Sequence, residues 1–142
     1  MENLLIEFVK TLDLSLKRLQ ENVGDSAGFS RLTIHQLQYI DAIYELREPT
    51  ITEVAHRLTI TKASVTAGIN KLASLGYVVK TPSSQDKRVC HVSLSETGQQ
   101  LVRAKYLALQ EYGEFIRSAL TEDEAHQFES TLAKLVKHFN KH

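Results

Sequence analysis

A chain of 142 residues makes one domain, or a small domain with oligomerisation elements, and its 42% hydrophobic and 24% charged content is that of a soluble globular protein. Its formal net charge of zero excludes any affinity for a polyanion that does not arise from local segregation of charge. One cysteine excludes an intrachain disulfide framework and fits a reducing cytoplasm. The acidic start Met1-Glu-Asn-Leu-Leu-Ile-Glu-Phe lacks the basic residues of a signal peptide, and no apolar run approaches the ~20 residues of a membrane span. The expected setting is cytoplasmic.

Leu5, Phe8, Val9, Leu12, Leu16 and Leu19 recur at three- and four-residue intervals and predict an amphipathic helix to about Asn22. With Leu4, Ile6 and Leu14 its apolar surface is wider than one contact needs, so a second subunit is expected to cover the excess. Gly24 to Gly28 reads as a loop. Thr33 and Gln36 form a capping box for a helix that carries Ile34, Leu37, Ile40 and Ile43 along one face and stops before Glu48-Pro49. Thr50 and Glu53 repeat the box, with Ile51, Val54, Ala55 and Leu58 behind it, and Thr59-Ile60 is a tight link.

Thr61 then caps a helix that ends at Gly76, which suits a left-handed position. Val65, Ile69, Leu72 and Ala73 form its buried face. Lys62, Ala63, Thr66, Ala67, Asn70 and Lys71 form the other, which is small, polar or cationic and carries no acid. Such a face lets the backbone approach a polyanion, with hydroxyl, amide and ammonium groups for phosphates and base edges; an ordinary solvated helix is the plainer alternative. Two short helices, a turn and a second helix with a cationic face make a helix-turn-helix.

The period then changes. Tyr77 to Lys80 and Val89 to Leu94 read as two strands around the polar, turn-rich segment Thr81 to Arg88, a wing tipped by Lys87 and Arg88. Such a tip can place an arginine in the narrow minor groove, and Asp86 either pairs with the Arg88 guanidinium or starts the turn. Thr61 to Arg88 holds Lys62, Lys71, Lys80, Lys87 and Arg88 against Asp86 alone, a local charge of +4. Ser95 caps a long helix to about Ala119, with Leu101, Val102, Leu109, Phe115 and Ile116 apolar. Thr121 and Glu124 form a third capping box before the stripe Phe128, Leu132, Leu135, Val136 and Phe139. The economical packing of these terminal helices is against the first helix and a symmetry mate. The fold class is mainly α with a small β-wing: residues 31–95 form the winged helix-turn-helix, and 1–30 and 96–142 the dimerisation helices.

The run Val65-Thr66, Leu72, Gly76-Tyr77-Val78, Asp86-Lys87-Arg88, Leu94-Ser95 and Gly98 resembles the signature of MarR-type transcriptional regulators, and the element order agrees along essentially the whole chain. The resemblance implies a homodimer with two reading heads that represses a pseudo-palindromic operator. In it Thr61, Lys62, Ala63, Ser64, Thr66, Ala67, Asn70 and Lys71 would lie at the major groove, and Gln85, Asp86, Lys87 and Arg88 at the wing, with Arg88 in the minor groove and Asp86 as its brace. Ala73 stands where the family often has Glu, and Lys80 where Arg is common, which keeps the charge but loses the bidentate fork. Ser84 to His91, with Val65-Thr66 and Asn70, resembles members that control bacterial fatty-acid synthesis genes. Family members hold small-molecule or acyl effectors between the dimer helices and the reading head; Phe8, Leu12, His35, Tyr39, Tyr44, Tyr106 and Tyr112 are the candidates here, each also suited to plain packing.

No cofactor or metal is expected. Of the six histidines, His138 and His142 share a spacing at a fraying end and His126 and Glu129 share a face, and neither pair makes a site. Cys90 has the strand parity of Val92 and Leu94 and is read as a partly buried, inert thiol rather than a redox sensor. No nucleophile elbow, phosphate loop or paired-carboxylate pattern points to an enzyme. The alternative to DNA binding is a winged-helix module for another protein, which would not need an acid-poor cationic helix together with Asp86-x-Arg88.

Overall fold

Capping boxes set the start of three helices. The computed structural model describes residues 1–22 and 31–141, so the loop from Gly24 to Gly28, like His142, lies outside the described residues. The elements run α1 (Glu2–Asn22), α2 (Ile34–Leu46), α3 (Ile51–Leu58), α4 (Lys62–Ser74), β1 (Val78–Pro82), β2 (Cys90–Leu94), α5 (Glu96–Ser118) and α6 (Glu122–Phe139). The side chains of Thr33, Thr50 and Thr121 each accept from the backbone N–H three residues on. Gln36, Glu53 and Glu124 accept in return from the cap N–H, as the Thr-x-x-Gln/Glu spacing predicts.

The residues group into two compact units, Met1–Tyr106 and Leu107–His142. In the first, Ile40 and Ile43 of α2, Val54 of α3, Val65, Ile69 and Leu72 of α4, Val92 of β2 and Leu101 of α5 are sealed from water and form one core. That core fixes which face of α4 points out. Ile34, which shares the apolar spacing of Leu37, Ile40 and Ile43, opens α2 on the outer side and is 75% exposed.

β1 and β2 pair antiparallel from Val78–Leu94 to Pro82–Cys90, so β1 runs two residues past the predicted end at Lys80 and β2 begins one residue after the predicted start at Val89. Pro82 is tolerated there because it ends a ladder in a two-stranded sheet. Gly76 takes the left-handed conformation (φ 83°), as predicted, and turns the chain from α4 into β1. Between α2 and α3, Arg47 and Glu48 also have positive φ (54° and 55°). This sharp corner brings Pro49-Thr50 alongside β2: Thr50 bridges His91, the Val92 N–H donates to the Pro49 carbonyl at 2.8 Å, and His91 Nδ1 lies 3.1 Å from the Glu48 carbonyl oxygen.

In the second unit Arg117 pairs with Glu129 at 2.6 Å, joining the end of α5 to α6. The Glu124 carboxyl is held below its ordinary value of 4.5 by the Thr121 backbone N–H, then by the Thr121 hydroxyl, at 2.9 and 3.0 Å. A depressed folded-state value means the ionised cap stabilises α6 above about pH 4.5, and this contribution is lost as pH falls through the lower folded value. Glu124→Gln mimics the protonated form, so its stability deficit in parallel thermal melts should be present at neutral pH and close on acidification below pH 4.5. A deficit independent of pH would contradict the assignment.

Candidate nucleic-acid interface

The site is built from α4, the link before it and the wing. The Thr61 hydroxyl accepts from the Ser64 N–H at 3.2 Å and donates to the Ser64 hydroxyl at 2.9 Å, closing the first turn of α4. Val65, Ile69 and Leu72 are 0% exposed, whereas Thr61, Lys62, Ala63, Ser64, Thr66, Ala67, Asn70 and Lys71 are all exposed. The outer face therefore carries the residue set its spacing predicts. Alanines at 63 and 67 leave the helix backbone open to close approach.

The wing tip is a hydrogen-bonded turn. The Ser83 N–H donates to the Val89 carbonyl at 2.8 Å and the Val89 N–H to the Asp86 carbonyl at 3.0 Å. The Asp86 carboxylate accepts from the Arg88 backbone N–H at 2.9 Å. Of the two roles open to Asp86, this is the turn-making one. Among the described residues the ion pairs within 4 Å are Arg57–Glu45, Lys105–Asp41 and Arg117–Glu129, so the Arg88 guanidinium has no carboxylate on it and stands exposed beside Gln85 and Lys87.

Between helix and wing lies a groove. Lys62, Thr66 and Asn70 line it from α4, Lys80 and Arg88 from the wing, and Thr50 and Thr52 from the start of α3; no acid lines it. Lys80, Thr50 and Thr52 are additions to the predicted interface. Lys80 is visible in the sequence as a cation of the right segment, but its place opposite Asn70 comes from the strand-to-helix packing. Cys90 is half-buried in the same wall, with its thiol 3.6 Å from the His91 carbonyl oxygen. Ala63, Ala67 and Lys71 are not among the lining residues, nor are Gln85, Asp86 and Lys87 of the wing tip.

The effector candidates fall into separate places. Tyr44 and Tyr106 pack with ring centroids 5.7 Å apart and planes tilted by 48°, beside a hollow lined by Glu45, Arg47, Glu48, Leu94 and Arg103. His35 and Tyr39 border a second hollow with Arg57 and Leu58; Tyr39 is otherwise a core residue whose hydroxyl donates to the Ser64 carbonyl at 3.4 Å. Phe8 is half exposed and Leu12 partly buried on α1, and Tyr112 packs on Phe115 in the second unit. Among the described residues no group of three or more His, Cys, Asp or Glu could hold a metal ion, and no helix is long and apolar enough to cross a membrane.

This architecture has known counterparts. The sequence profile of the MarR family matches residues 30–89. The HTH-type transcriptional regulator PapX of Escherichia coli is 28% identical over 127 residues, 87% of this chain and 77% of its own. The uncharacterized HTH-type transcriptional regulator Mb0904 of Mycobacterium bovis is 31% identical over 101 residues, 71% of each chain. Streptococcus pneumoniae FabT, solved in complex with DNA, superposes with a TM-score of 0.79 at 23% identity over 99% of both chains, which establishes a shared fold. Six helices and a two-stranded wing among the described residues, a helix-turn-helix with an acid-free cationic face, and these relatives lead to one conclusion: the chain belongs to the MarR family of winged helix-turn-helix transcriptional regulators.

Proposed function

We propose that the chain works in the cytoplasm as a homodimeric, non-enzymatic repressor of a pseudo-palindromic operator. Residues 31–95 form each reading head, and the helices within 1–30 and 96–142 form the subunit contact. The observation that carries the reading is the groove between α4 and the wing, with Lys62, Lys80 and Arg88 on its walls and no acid. A neutral protein that gathers its cations there is suited to DNA phosphates at the edges of a major-groove helix. Exposed apolar side chains support pairing: Leu4, Leu5 and Phe8 on α1, Phe115 on α5 and Phe139 on α6, the last two 68% and 71% exposed. A two-fold dimer would set its recognition helices one DNA turn apart, roughly 34 Å.

Release would follow from an effector that prefers another spacing of the heads, a small aromatic acid or an acyl chain, acting by population shift. The hollow beside Tyr44 carries Arg47 and Arg103 against Glu45 and Glu48, a balanced lining that gives a ligand polar anchors of both signs. Titrating Lys62→Ala on a selected duplex tests the role of the α4 face. Because Lys62 is placed as a phosphate contact, affinity should fall by a similar factor on every sequence, and the salt slope should drop by about 1 for each subunit. Sequence-selective loss, or none, would remove Lys62 from that role.

A further inference from the structure

We infer that Lys80 and Asn70 act as one donor-only reading unit that selects a G·C pair in each half-site, an inference that rests on α4 reading the major groove as proposed. Asn70 is exposed on the outer face of α4, and its side-chain oxygen accepts from the Lys80 ammonium at 2.5 Å. An ammonium has donors only, so the amide atom facing it must be the oxygen, which fixes the orientation of the amide.

That contact changes what Asn70 offers. A free asparagine presents an acceptor and a donor side by side, which matches N6–H2 and N7 of adenine. The ammonium takes one lone pair of that oxygen and sets its positive charge beside the other, which disfavours a second donor there, so the amide presents its N–H2 beside the remaining N–H groups of Lys80. Adenine would then place its own amino donor against donors, and cytosine likewise. Guanine offers O6 and N7, two acceptors, and thymine only O4 next to a methyl group. No acid lines the groove to draw Lys80 away, and Lys62 and Arg88 keep the surroundings cationic. α4 alone suggests adenine at the position facing Asn70; the wing strand reverses the preference.

Selection of random duplexes by the full-length parent, by Asn70→Ala and by Lys80→Met tests this. Asn70→Ala identifies the half-site position whose preference collapses. At that position the parent should favour G·C over A·T by roughly 5- to 150-fold. Lys80→Met should convert it to A·T while the other positions keep their order. An A·T preference in the parent, or collapse of no position in Asn70→Ala, would overturn the inference. So would an unchanged G·C preference in Lys80→Met accompanied by uniform weakening and a shallower salt dependence, which would make Lys80 a phosphate contact. Failure of the DNA reading itself would show differently, as a parent that enriches no motif, and would take this inference with it.

Discussion

Arg88→Ala is expected to weaken operator binding at least about thirtyfold while leaving the fold and the dimer intact. A wing arginine in the minor groove contributes about 1–3 kcal/mol, and a dimer loses two of them. Arg88 is exposed and sits on a closed turn, and among the described residues no carboxylate lies within ion-pair distance to compete with DNA for its guanidinium. Arg88→Lys keeps the charge and the salt slope but loses the planar fork, and should recover only part of the affinity. Asp86 separates two accounts of the tip. Because its carboxylate accepts from the Arg88 N–H, Asp86→Asn retains an acceptor and should bind nearly as well as the parent, whereas Asp86→Ala opens the turn and should bind worse. Equal loss in both, measured by fluorescence anisotropy, would show that the negative charge on the guanidinium was what mattered.

Gly98→Ala is expected to destabilise the fold by about 1–3 kcal/mol, the cost of overpacking, and to lower the melting temperature by roughly 5–10 °C. Gly98 lies in the first turn of α5, where a Cβ would stand 2.2 Å from the Tyr77 carbonyl oxygen. That oxygen is backbone and is already bonded to the Ser95 N–H at 2.9 Å, so it has little room to yield. The Ser95 hydroxyl ties the same junction together, donating to the Gly76 carbonyl at 2.6 Å and accepting from the Gly98 N–H at 3.1 Å. The gain in helix propensity from alanine, ~0.5–1 kcal/mol, does not offset the clash. Thr97→Ala, one residue earlier and exposed, should stay within about 0.5 kcal/mol of the parent. A Gly98→Ala protein that melts with the parent would mean that the wing and α5 separate without cost.

Much of this was legible in the residues because it is local. Three Thr-x-x-Gln/Glu boxes, the left-handed Gly76 and the i, i+4, i+7 burial of Val65, Ile69 and Leu72 each depend on neighbours within a turn or two. What escaped is non-local or too short to have a period. The Thr50–His91 bridge is a single residue pair and leaves no alternation to detect. The Lys80–Asn70 bond joins a strand to a helix, and only packing sets its length. Asp86 had two plausible partners in Arg88, and the turn geometry presents the N–H rather than the guanidinium. Ile34 fits the helical stripe by spacing, yet at the first position of α2 it overhangs the core.

The central claim is that a neutral chain concentrates its cations on α4 and the wing, twice over in a dimer, and the salt dependence of binding to a selected duplex tests it most directly. With Lys62, Lys71, Lys80, Lys87 and Arg88 in each subunit, the logarithm of the affinity should fall linearly with the logarithm of salt concentration. The expected slope lies between about −4 and −7, the steeper bound counting the four cations other than the base-reading Lys80 in both subunits. A slope near zero would contradict the account.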